Sequence, residues 1–220
     1  KLLISANICQ QDVNAARELG CTVLRKPFKL AALLAWSALG NGDRVGSLVF
    51  NDSRHREVRP RRSRKTVLTI LSEIEAFNRR LPLAGGDDRS LAGTLDTLRR
   101  IARPGTSIYL ISDFYGAEDP AVREHLFRLA QHSEITALAC ADPLESALPP
   151  AGRYAITDGQ RRSELLTADR RLRQNYQQEQ EQRMAALATD LQRLGIPLLR
   201  ASTGQSPFLL LQRYFGEERR

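Results

Sequence analysis

Apolar residues along this chain fall into two periods that take turns. Short apolar runs predict strands at Leu2 to Ala6, Cys21 to Arg25, Arg44 to Asn51, Thr106 to Ser112, Ile135 to Ala141, Arg153 to Thr157 and Ile196 to Ala201. Between them, helical spacing predicts helices at Gln10 to Leu19, Phe28 to Leu39, Ser63 to Leu81, Ser90 to Ala102, Pro120 to His132, Ala168 to Leu194 and Pro207 to Phe215. The stripe Val67, Ile70, Leu71, Ile74 and Phe77 is the clearest of these, and Gly20 and Gly40 stand where helix ends favour glycine. Val45 to Phe50, Ile108 to Ser112 and Ile135 to Ala141 are apolar on both faces, as central strands of a parallel sheet must be. Arg153 to Thr157 reads as a shorter edge strand. The order implies an α/β fold, a mostly parallel sheet covered by helices on both faces.

At 220 residues, 42% apolar and 26% charged, the chain has the make-up of a globular domain able to bury a core. The longest apolar window, Leu30 to Leu39, falls short of the roughly 18 to 20 residues that cross a bilayer. Lys1 to Ser5 is too short for a signal peptide, so no membrane span and a cytoplasmic location are expected. Cys9, Cys21 and Cys140 have neither disulfide nor zinc spacing and are expected as buried thiols. The net charge is +8, and seven cations crowd into twelve residues: Arg54, Arg56, Arg59, Arg61, Arg62, Arg64 and Lys65. So many guanidinium groups belong in solvent, as a loop or as a contact for an acidic protein partner. The alternative is an anionic ligand or nucleic acid, for which no zinc, helix-turn-helix or aromatic stacking motif is present and which is therefore the less favoured partner.

Ligands of open parallel sheets bind beyond the carboxyl ends of the strands, where Asp52, Asp113 and Asp142 stand. Ser112 and Asp113 could offer two oxygens to a hard cation such as Mg²⁺, while capping of turns is the competing use of Asp113 and Asp142. None of His55, His125 and His132 is placed as a base beside a nucleophile, and Gly85-Gly86 lacks the spacing and lysine of a phosphate loop. A non-enzymatic role is expected.

Five blocks carry a resemblance: Ala31-Ala32-Leu33-Leu34-Ala35-Trp36, Gly42-Asp43-Arg44-Val45-Gly46, Arg59-Pro60-Arg61-Arg62-Ser63, Leu110-Ile111-Ser112-Asp113-Phe114 and Asp142-Pro143-Leu144-Glu145. Together they resemble the bacterial family known as domain of unknown function 58, from about Phe28 to Phe215. That family looks like a divergent von Willebrand factor type A domain, and its members are often encoded beside MoxR-type AAA+ ATPases. The resemblance implies an interaction module or adaptor for such an ATPase. It also implies a metal-ion-dependent adhesion site in degenerate form, with Asp113 matching one ligand, Ser112 beside it, and Ser90 or Thr94 as the threonine. No cofactor is expected, and Mg²⁺ at most weakly.

Residues 1 to 28 resemble instead the later part of a response-regulator receiver domain, with Ser5 and Lys26 in the positions that surround its phosphorylated aspartate. This divides the chain into a receiver-like fragment, 1–28, merged into the fold, and a von Willebrand factor A-like domain, 29–220. Two placements of the family's first strand follow. The favoured one uses Cys21 to Arg25, which puts Lys26 beside Asp113, where an ammonium group repels a metal; the other uses Leu2 to Ala6.

Overall fold

The computed structural model describes residues 2–7, 26–51, 54–79, 91–157, 162–202 and 204–216. The helix expected at Gln10 to Leu19 and the strand at Cys21 to Arg25 lie outside the described residues, as do Cys9, Asp52, Gly85-Gly86 and Ser90. In chain order the elements are β1 (Leu2–Asn7), α1 (Lys26–Gly40), β2 (Val45–Phe50), β3 (His55–Arg61), α2 (Arg64–Arg79), α3 (Leu91–Ile101), β4 (Thr106–Ser112), α4 (Pro120–Ala130), β5 (Ser133–Ala141), α5 (Pro143–Ser146), β6 (Arg153–Thr157), β7 (Arg162–Leu166), α6 (Arg170–Arg193), β8 (Leu198–Ser202) and α7 (Pro207–Gly216).

Six strands form one sheet in the order β3-β2-β1-β4-β5-β8. All neighbours are parallel except β3, which returns antiparallel to β2. Every residue of β2 is buried, because helices cover both of its faces. On one face α1, α2 and α7 pack Leu30, Leu34, Val67, Ile70, Ile74, Phe77 and Leu211 onto Val45, Val49, Ile111 and Leu138. On the other, α3, α4 and α6 pack Leu95, Leu98, Val122, Leu126, Leu187 and Leu191 onto Leu48, Ile108, Leu110 and Ala137. Burying side chains of this kind stabilises a fold by about 1.5–3 kcal/mol each before the entropy of ordering is counted. Asp119 caps α4 by accepting the Ala121 N–H at 2.8 Å, with Pro120 in the first turn, and Asp169 caps α6 by accepting from Arg171 at 2.8 Å.

Two expectations need correction and one needs refinement. The first-strand position belongs to Leu2–Asn7: Leu2 lies opposite both Val45 of β2 and Ser107 of β4, so no space remains there for Cys21 to Arg25. The strand expected at Arg153–Thr157 is present but stands outside the main sheet. It pairs with Arg162–Leu166 in a separate antiparallel hairpin, while β8 takes the position beside β5. Finally, the basic stretch is no loop, since His55–Arg61 is the sheet's antiparallel edge strand and α2 starts at Arg64. Val58 is the one residue of β3 that reaches the core.

Candidate functional site

Two regions collect the residues singled out by the sequence. The first lies at the carboxyl end of the sheet, where the chain leaves β4 in a tight turn. The Ser112 hydroxyl is buried, donates to Asp113 Oδ1 at 3.2 Å and accepts the Phe114 N–H at 3.0 Å. Asp113 Oδ1 also accepts the Tyr115 N–H at 3.1 Å. Phe114 stands in the left-handed region with φ 55°, an unfavourable backbone for a residue with a side chain, and its ring is 3% exposed in the core. Burial of the ring holds the turn in that conformation. From α6, seventy positions further along, Arg183 donates through Nη2 to the Asp113 carbonyl at 2.9 Å, and its guanidinium sits 5.4 Å from the centre of the exposed Tyr115 ring. Sequence reasoning missed Arg183, because nothing distinguishes it among the many polar residues of α6 that precede Met184.

This geometry uses Asp113 as a turn cap. The structure also changes the reason for expecting little metal affinity. With Leu2–Asn7 as the first strand, the sequence at its carboxyl end is Asn7-Ile8-Cys9-Gln10-Gln11, which supplies no carboxylate and no hydroxyl where the resemblance would require Asp-x-Ser-x-Ser. Amide and thiol groups are poor substitutes for the charged oxygens that a hard cation needs, so the residues present do not fit a metal-ion-dependent adhesion site. Lys26 is the first residue of α1 rather than the end of a first-strand loop, and Ser5 lies within β1 opposite Leu48 and Leu110. Among the described residues no group of three His, Cys, Asp or Glu side chains is assembled for a metal. Thr94 is buried within α3, and Asp142 leads from β5 into α5. His55, His125 and His132 lie on β3, on α4 and just after α4, and they do not converge on one site.

The second region is the basic edge. A turn held by reciprocal bonds joins β2 to β3: the Asn51 N–H donates to the Arg54 carbonyl and the Arg54 N–H to Asn51 Oδ1, both at 3.0 Å. Arg54 stacks over the Phe77 ring at 4.3 Å, and Arg56 Nε lies 3.6 Å from Glu73, which fastens one face of β3 to α2. Arg62 packs against Gly42, where a Cβ would come within 2.5 Å of its guanidinium. Arg56, Arg59, Arg61, Arg62, Arg64 and Lys65 are exposed and Arg54 is half-buried. A bulge opposite Gly46 brings Val58 and Pro60 close against β2.

Elsewhere a groove of about 890 Å³ opens between α1 and α7, at the amino end of β4 and away from Asp113. Its lining mixes Leu33, Leu211 and Phe215 with Ser37, Asn41 and Gln212 and gathers no convergent charged set.

The family described as "Protein of unknown function DUF58" matches residues 9–186. The chain belongs to this family. An uncharacterized protein of Mycobacterium tuberculosis, Rv1480, is 26% identical over 213 residues, which is 95% of this DUF58 chain and 66% of that protein. This chain therefore spans just under two thirds of that relative's length. Among solved structures, the conserved hypothetical protein BatB of Bacteroides thetaiotaomicron shares the fold at a TM-score of 0.55 and 13% identity, over 98% of this chain and 97% of BatB. An aerotolerance-related membrane protein from Bacteroides fragilis aligns at a TM-score of 0.57 and 15% identity, over 99% and 96% of the two chains. In the DUF58 chain described here, no helix among the described residues is long and apolar enough to cross a membrane.

Proposed function

We propose that this domain is a non-enzymatic protein-interaction module of von Willebrand factor A-like architecture, working as an adaptor for a MoxR-type AAA+ ATPase in the cytoplasm. One observation carries this: the basic residues are held on a regular strand and the start of a helix, fixed by the Asn51 turn, the Arg54–Phe77 stack and the Arg56–Glu73 pair. A surface ordered before binding loses less entropy when a partner docks than a loose arginine-rich loop would. The central β1, flanked by β2 and β4, agrees with the architecture that the family resemblance implies. The ATPase as partner rests on that resemblance alone. The domain works without a resident metal, because Asn7-Ile8-Cys9-Gln10-Gln11 offers amides and a thiol in place of the carboxylate and hydroxyls that a hard cation needs.

The test is calorimetric titration of a purified MoxR-type ATPase, encoded beside a member of this family, into the domain. Saturable binding supports the adaptor role, and its absence with and without nucleotide counts against it. Binding to random-sequence DNA with a steep salt dependence would favour an anionic-ligand function instead, since released counterions set that slope.

A further inference from the structure

β3 is the outermost strand of the six, so one of its edges meets β2 and no described strand lies along the other. The register decides which backbone groups point outward. The Asn51 N–H bonds the Arg54 carbonyl, and the same register pairs Val49 with Arg56 and Ser47 with Val58. Hydrogen-bonded and non-bonded pairs alternate in an antiparallel ladder, so Arg54, Arg56 and Val58 turn their amides toward β2 and Glu57 turns its own away. The outward N–H and C=O of Glu57 give one more strand a place to pair, a short stretch that ends before Pro60, which has no N–H.

Charge supplies an independent indication of what that strand would be. From 54 to 65 there are seven cations and one acid, Glu57. Arg54 and Arg56 are engaged by α2, whereas among the described residues Arg59, Arg61, Arg64 and Lys65 form no ion pair with an acid. Side chains on one face of a strand repeat at about 7 Å, which is also the spacing of alternate carboxylates on an added extended segment. The same charge works against a wrong partner, because a second copy of β3 would bring two strongly cationic edges together. Single-stranded nucleic acid, by contrast, is held by aromatic platforms between the cations, and β3 has no Phe, Tyr or Trp.

We propose that β3 accepts an extended acidic segment of a protein partner as a seventh strand of the sheet. The segment's backbone bonds along the Glu57 edge, and its carboxylates meet Arg59, Arg61, Arg64 and Lys65. This deepens the interaction-module function and rests on it.

Fluorescence anisotropy tests the mode with a labelled Glu-Val-Glu-Val-Glu-Val-Glu peptide as probe. The same peptide N-methylated on alternate residues keeps its charge but cannot form an edge ladder. The expected result is saturable binding of the plain peptide, with about tenfold weaker binding for the N-methylated form and for the Arg59→Glu, Arg61→Glu variant. Equal binding of plain and N-methylated peptides overturns the proposal, since charge alone would then be responsible. No binding, or displacement of the peptide by an equal charge of random DNA duplex, overturns it as well. The N-methylated arm uses the unaltered protein and decides the matter even if the double variant fails to fold. Failure here combined with intact ATPase binding removes strand addition and leaves the adaptor role, whereas loss of both removes both.

Discussion

Replacing Gly46 with alanine probes the junction that positions the basic edge. Gly46 sits on β2 at the bulge, and a Cβ there would stand 2.7 Å from the Val58 carbonyl oxygen, 2.7 Å from Pro60 Cγ and 2.8 Å from Pro60 N. Ordinary contact begins near 3.4 Å, so β3 must retreat by about 0.7 Å. Two of the three obstacles are backbone atoms, and the third belongs to a proline ring that cannot rotate away. Overpacking of this kind costs about 1–3 kcal/mol, against which the lower entropy of the unfolded alanine chain returns about 0.4–1 kcal/mol. A net loss of about 1–2 kcal/mol is expected, or roughly 2–8 °C in Tm for a domain of this size. Urea denaturation at unchanged m-value, with hydrogen exchange at Arg56 and Val58, measures both the loss and its location. Gly46→Ala at or above parental stability, with protection of β3 unchanged, would refute the described packing of β3 on β2.

The Ser47 hydroxyl is fully buried in β2 with no hydrogen-bond partner among the described residues, so Ser47→Ala is expected to be neutral or to stabilise by about 1 kcal/mol in urea denaturation; a loss above about 1 kcal/mol would contradict this. Asp96 is held below the usual carboxylate range, chiefly by the hydrogen bond from Arg99; burial opposes this, and the charges of Arg100, Arg99 and His125 add to the lowering. A lowered folded-state value contributes stability above the unfolded Asp value of about 3.9 and loses it as pH falls through the folded value. The Tm difference between parent and Asp96→Asn should therefore shrink in acid below that value, and a difference that grows there would contradict the assignment. For metal, calorimetric titration of Mg²⁺ or Mn²⁺ is expected to give weak or no binding, because Asp113 Oδ1 already accepts from Ser112 and Tyr115 and the sequence after the first strand, Asn7 to Gln11, has no carboxylate or hydroxyl; tight binding would contradict this.

The strands that were legible in the sequence are those buried on both faces: β2, β4 and β5 are near-continuous apolar runs, which only the interior of a parallel sheet explains. β3 was illegible for the opposite reason. In His-Arg-Glu-Val-Arg-Pro-Arg a single valine faces the core, so no apolar alternation exists to be read, and the strand is made by pairing with β2. The choice of first strand failed because Leu2 to Ala6 and Cys21 to Arg25 are both short apolar runs, and only the two-sided pairing of β1 with β2 and β4 separates them. At the candidate sites, Asp113 could be located from its position after a strand, but its role as a turn cap depends on backbone geometry around Phe114. Arg183 reaches it across a sequence separation of 70, a contact that no local pattern encodes.

The most direct measurement of the central claim is the affinity of the domain for a purified MoxR-type ATPase, compared with that of the Arg59→Glu, Arg61→Glu variant at matched ionic strength. Both arginines are exposed on the edge strand, so the exchange leaves the core intact. The account predicts a saturable complex weakened about tenfold by the charge reversal, with more salt having a similar effect on the parent. Absence of a complex with the parent, or equal affinity of parent and variant, would contradict it.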